Sequence, residues 1–212
     1  MMTENAIKFI TEIIKPWESL NLDLGKAFSM NPNINDFTIR ANSLAVSIKH
    51  IPEVFLKIKI EDLIKESRPY EIMSDLADSF KHGKLRNPNR ECKLIVGSMF
   101  ERNFDAKVRF LRNRITIDHN TYGKIDFMQS SLESAVFVSR KLKIKTNWSP
   151  KIFNNSGEFT DEIRVHASRK HQVTWTGMQL EFVQLNDRGE YVNVDLNGTV
   201  KFVLTSEVFT KY

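Results

Sequence analysis

The chain carries one cysteine, Cys92, among its 212 residues. No intramolecular disulfide can form, which points to a reducing, cytoplasmic setting. Cys92 opens an apolar run and reads as a buried, inert thiol rather than a nucleophile. No run of 18 apolar residues occurs, so no membrane-spanning helix is expected. The start, Met1-Met-Thr-Glu-Asn-Ala6, lacks the basic and then apolar order of a secretory leader. Phosphate-binding P-loops, Gly-rich dinucleotide turns, paired-cysteine zinc sites and HExxH helices are all missing. So is the Gly-x-Ser-x-Gly elbow of hydrolases. The sequence therefore implies no cofactor and no metal. Internal repeats and low-complexity tracts are absent too.

What is present is material for a core: 41% of residues are hydrophobic, and 15 are Phe. The net charge of +5 is unevenly spread. Residues 1–79 hold 9 Lys and Arg against 12 Asp and Glu. Residues 80–171 hold 19 against 9, and residues 172–212 hold 3 against 5. A basic middle can attract an anionic partner through its summed field. The same cations scattered around a solvated surface would do nothing of the kind.

Apolar spacing predicts helices first. Residues 4–28 carry Ile7, Ile10, Ile13 and Ile14 at helical intervals, with a kink or break at Pro16-Trp17. Helices are expected over 36–50 and 53–66, with Pro52 kinking or restarting the chain. A further helix is expected over 70–82, with Pro69 leading it and Gly83 as a left-handed cap. After Asn87-Pro-Asn89 the pattern alternates. Strands are expected over 92–102, 106–119 and 122–128, then a helix of about 131–145 capped by Ser130. An exposed loop should span 147–161, with further strands over 163–175, 179–185, 191–196 and 199–204. Asn186–Gly189 and Asn197-Gly198 suit hairpin turns. The fold class is α+β: N-terminal helices, then a mostly antiparallel sheet with one inserted helix. The composition divides a helical part, 1–88, from a β-rich part, 89–212, unless the two form one continuous domain.

The stretch Asp75-Leu-Ala-Asp78-Ser-Phe-Lys-His82 places three chemical groups together. On a helix, Asp75 and His82 return to within about 20° of each other, and Asp78 lies about 40° away. Carboxylates beside an imidazole suit general acid–base catalysis, which makes Asp75, Asp78 and His82 the catalytic candidates. Capping offers another account, since Lys81 and His82 suit the negative end of a helix dipole.

This stretch, through residue 85, resembles a D-x-A-[ND]-x-x-K-H helix of bacterial proteins of unknown function related to HEPN domains. The resemblance extends to the helices before it. It implies a place in a bacterial or phage conflict system, where HEPN ribonucleases often act. HEPN ribonucleases carry Arg-x4–6-His on a helix, and here the nearest arginine upstream of His82 is Arg68. That departure favours a non-catalytic version. Arg112 and Arg114 precede His119, and Arg164 precedes His171, but these lie in strand-like segments. On a strand, Arg114 and His119 point to opposite faces.

The remaining candidates are binding residues. Arg112 and Arg114 share one strand face, Arg164 and His166 share another, and Arg169-Lys170 follows. Trp148, Phe153 and Trp175 lie in or near the intervening loops. Basic strand faces with aromatic neighbours hold single-stranded nucleic acid by phosphate contacts and stacking. Aromatics in a core and basic residues on ordinary surface would give the same sequence pattern. Three functions follow in order: binding of RNA or single-stranded DNA, docking of an acidic protein partner, and a divergent ribonuclease centred on His82.

Overall fold

The computed structural model describes residues 3–26, 33–56, 58–167, 179–195 and 200–206. The fold is α+β, with N-terminal helices and a mostly antiparallel sheet interrupted by one helix. Among the described residues no helix is long and apolar enough to cross a membrane.

The first helical stretch comprises α1 (Glu4–Phe9), a π-helical turn (Ile10–Ile14) and α2 (Lys15–Leu24). Pro16 has no N–H to give to the preceding turn, and the widened π turn sits just where that bond is lost. Helix α3 (Asn33–Leu56) runs through Pro52 as a single helix, without the restart that its sequence allows. Helix α4 (Ile60–Glu66) follows.

Helix α5 (Arg68–His82) begins where Ser67 Oγ accepts the Tyr70 N–H and Pro69 sits in the first turn. It ends at Gly83, at φ 71° and ψ −55°. With Lys84 N–H donating to the His82 carbonyl at 2.8 Å, this is a γ-turn rather than the left-handed helical cap expected.

A 3-10 turn (Pro88–Arg90) leads into β1 (Cys92–Arg102), β2 (Val108–His119) and β3 (Gly123–Asp126). Helix α6 (Phe127–Lys141) starts earlier than its sequence suggests. Asp126, not Ser130, caps it by accepting the Gln129 N–H at 2.9 Å. Strands β4 (Glu162–Ala167), β5 (Gln179–Leu185), β6 (Tyr191–Asn193) and β7 (Lys201–Ser206) complete the chain.

Five strands follow the order β3-β2-β1-β5-β6. The β2–β3 and β5–β6 pairs are antiparallel, whereas β1–β5 is parallel, with Gly97 opposite Gln179. Strands β4 and β7 form a separate parallel pair, with Ile163 opposite Phe202. The hairpin expected between the last two strands is therefore not made, although Asn197-Gly198 itself lies outside the described residues. Turn chemistry permits a hairpin but does not choose the partner. A parallel pair instead sets the alternation Ile163, Val165 beside Phe202, Leu204.

The chain divides into two compact units that interleave along the sequence. The first comprises 1–23, 37–95 and 115–152; the second comprises 24–36, 96–114 and 153–212. The change of composition near residue 88 does not mark this division, because β1 and β2 each contribute residues to both units.

The first unit packs Phe9, Ile13, Trp17, Leu44, Ile48, Tyr70, Met73, Phe127 and Val138, all buried. Trp17 Nε1–H lies 3.2 Å from the Met128 carbonyl and 3.1 Å from Ser131 Oγ, which satisfies the one polar atom of that ring. The second unit buries Phe100, Val108 and Ile163, with Phe110, Leu180 and Phe182 against them.

Candidate functional site

The first unit holds a polar network built on α5. Asp75 is 1% exposed. Its Oδ1 accepts Arg90 Nε–H at 2.7 Å, and its Oδ2 faces His119 Nε2 at 3.2 Å. Asp78, one turn on, accepts Arg90 Nη2–H at 3.0 Å and pairs with Lys49 of α3. The Arg90 fork thus bridges two carboxylates spaced three residues apart on one helix face. Thr121 N–H donates to His119 Nδ1 at 3.1 Å. That bond fills the Nδ1 lone pair, so the ring proton toward Asp75 is carried on Nε2. The Tyr122 ring lies 4.8 Å from the His119 ring, and Arg68 caps Tyr122 at 4.3 Å.

Burial pushes the Asp75 carboxyl above its usual range, against the opposing pull of Arg90 and His119. Burial would raise Asp78 too, but Lys49 and Arg90 outweigh it and hold the group below the usual range. Burial also pushes the Cys92 thiol up to about 11. Cys92 is half-buried rather than fully buried as expected, and its S–H points to Ser79 Oγ at 3.7 Å.

The network braces the loop that follows α5. Leu85 N–H donates to Glu91 Oε1 at 3.0 Å, and Asn89 N–H to Asn87 Oδ1 at 3.1 Å. From across the β2–β3 turn, Asn120 Nδ2–H reaches the Pro88 carbonyl at 2.6 Å and Thr121 Oγ1–H the Asn89 carbonyl at 2.7 Å. Between Asp78 and Glu91 the chain has four Lys or Arg and no carboxylate. Of these, Arg90 faces the network. Lys81, Lys84 and Arg86 are exposed, as is His82, and among the described residues none of the four is ion-paired.

The sequence-derived candidates are distributed differently from what was expected. Asp75 and Asp78 do share a site, but His82 does not join it. It stands exposed at the last residue of α5, with no bond to either carboxylate. The histidine that meets Asp75 is His119. It is 2% exposed, and both its ring nitrogens are engaged. This arrangement holds a loop in place; it offers no open imidazole to a substrate.

Arg112 is 5% exposed, and its guanidinium donates to the Asn113 and Phe153 carbonyls at 3.0 and 3.2 Å. Arg114 pairs with Glu181 at 3.0 Å. Both lie in the second unit and are committed to protein partners. Arg164 and His166 occupy alternate positions of β4, while Arg169 and Lys170 lie outside the described residues. Trp148 packs edge-on against Trp17 at 5.5 Å and donates to Glu18, so its ring is a packing element of the first unit. Trp175 also lies outside the described residues.

Sequence reading missed Arg90, His119 and Lys49 as partners of the two aspartates. Arg90 lies 15 and His119 44 residues from Asp75, beyond any helical period. The acid-free run from Lys81 to Arg90 was visible in the sequence. Compared with family models, curated proteins and solved structures, the chain matches none.

Proposed function

We propose that this chain binds single-stranded nucleic acid, RNA or DNA, and that the stretch from Lys81, in the last turn of α5, to Arg86 is a phosphate-contacting surface. The observation that carries this reading is the run of exposed, unpaired cations that passes from the last turn of α5 into a loop fastened at Leu85, Pro88 and Asn89. Cations without carboxylate partners are available to phosphates, and a pre-shaped loop has less freedom to lose on binding. Arg164, His166, Arg169 and Lys170 remain candidate contacts further along the chain. Arg112 and Arg114 are set aside, because their guanidinium groups already have protein acceptors.

Binding without cleavage is the version favoured here. His119 has both ring nitrogens occupied inside the protein, and His82 has no acid beside it. General acid–base chemistry needs a group within reach of the substrate and of a partner that orients it.

The test is titration of a labelled oligonucleotide with the wild-type chain and with Lys81→Ala/Lys84→Ala/Arg86→Ala. Affinity should fall at least tenfold in the variant while its thermal unfolding stays unchanged, since all three side chains are exposed. Equal affinities would refute the reading. Binding to polyglutamate with none to any oligonucleotide would favour an acidic protein partner instead.

A further inference from the structure

The tip of the β1–β2 hairpin, in the second unit, combines three properties that bear on binding. Phe104 is 86% exposed, the most exposed of the large hydrophobic side chains described. An aromatic ring left in water contributes nothing to the core. The turn beneath it is held firmly. Asn103 N–H donates to the Lys107 carbonyl at 2.9 Å, Ala106 N–H to the Asn103 carbonyl at 3.2 Å, and Lys107 N–H to Asn103 Oδ1 at 2.9 Å. Ala106 adopts φ 62°, an arrangement a side-chain-bearing residue takes only when its surroundings fix it.

The third property is a cation without an acceptor. Arg102 Nε is shut off from solvent and has no hydrogen-bond partner. Among the described residues its guanidinium meets no carboxylate. A guanidinium nitrogen left enclosed and unpaired is costly; Arg102 as a whole is only half-buried, so its side chain can turn outward and pair with an anionic oxygen. Lys107, exposed at the other foot of the turn, is likewise unpaired among the described residues. The turn's carboxylate, Asp105, is exposed and has no cation within pairing distance among them.

From this combination we infer that the hairpin tip is a nucleotide-binding element, with Phe104 stacking on an unpaired base and Arg102 and Lys107 taking the adjoining phosphate. A π face beside two cations matches one nucleotide of a single strand. The inference rests on the proposed nucleic-acid reading and adds to it the residues that would engage a base.

The experiment measures binding of a fluorescent oligothymidylate of about 20 nucleotides, longer than one binding site. Wild type is compared with Phe104→Leu, Phe104→Trp and Arg102→Ala. Phe104→Leu should weaken binding about tenfold without changing the salt slope, because it removes the π face and leaves the charge. Phe104→Trp should retain or improve affinity. Arg102→Ala should weaken binding and make the salt slope shallower by about one phosphate contact. Thermal unfolding of both Phe104 variants should match wild type. If the oligonucleotide binds equally well to Phe104→Leu and wild type, the inference is overturned while the binding reading stands. If wild type does not bind at all, both are overturned.

Discussion

Replacing Asp75 by alanine leaves Arg90 with Asp78 as its remaining acceptor and strands the His119 Nε2–H, which has no other acceptor in the network. Arg90 is partly exposed and can turn to water, but His119 cannot. The expected cost is about 3 kcal/mol in a urea titration, near the lower end for breaking a buried pair. A midpoint unmoved by Asp75→Ala would contradict the network's role. The two aspartates respond to pH with opposite signs. Asp78 is held below the usual carboxylate range, so it stabilises the fold at neutral pH, and that contribution is lost as pH falls through its folded pKa. Asp75 is raised, so its ionisation costs stability as pH rises through its folded pKa. The stability gap between wild type and Asp78→Asn should therefore close on acidification from neutrality to about pH 3. A gap that persists there would assign the effect to packing rather than charge. For Cys92, a thiol raised to about 11 has almost no thiolate at neutral pH. Iodoacetamide should label it far more slowly in the native chain than in urea, and equal rates would show an open thiol.

At the scale of elements, the γ-turn at Gly83 separates the network's helix from the basic loop. Its φ of 71° with ψ of −55° is strained for any residue with a Cβ, although nothing lies within 4 Å of where that atom would sit. Gly83→Ala should then cost about 1–3 kcal/mol through backbone strain alone, read as a drop in the urea midpoint. An unchanged midpoint would mean that the turn relaxes freely. Helix α5 was legible because its apolar residues repeat at helical spacing and Pro69 leads it, although the Ser67 cap was not read from the sequence. Strands β1, β2 and β5 were legible from their alternation and the turns around them. The start of α6 was not, because Phe127 and Met128 read equally well as the end of a strand. The capping bond from Asp126 decides the matter. The joining of α3 across Pro52 was hidden for a similar reason: local sequence registers the missing N–H but not the packing that carries a helix through it.

For the whole molecule, the charge distribution was legible and its division into units was not. Both parallel strand pairs join residues far apart in sequence, and no local signal selects such partners. The candidate site shows the same limit. Asp75 and Asp78 could be placed on one helix face by counting, whereas Arg90 and His119 reach them only through the fold. Arg112 shows the converse, since a basic residue in an alternating strand looked like surface and is buried against backbone carbonyls. Among the cations that these placements leave exposed and unpaired are Lys81, Lys84 and Arg86, at the end of α5 and in the loop after it, and their proposed role is to engage phosphates. The most direct test follows the affinity for a single-stranded oligonucleotide as salt is raised, in wild type and in Lys81→Ala/Lys84→Ala/Arg86→Ala. Wild type should lose affinity linearly on a double logarithmic plot. The triple variant should show a slope shallower by about 2, since each phosphate that a cation neutralises on a single strand adds roughly 0.7. Identical slopes for the two proteins would contradict it.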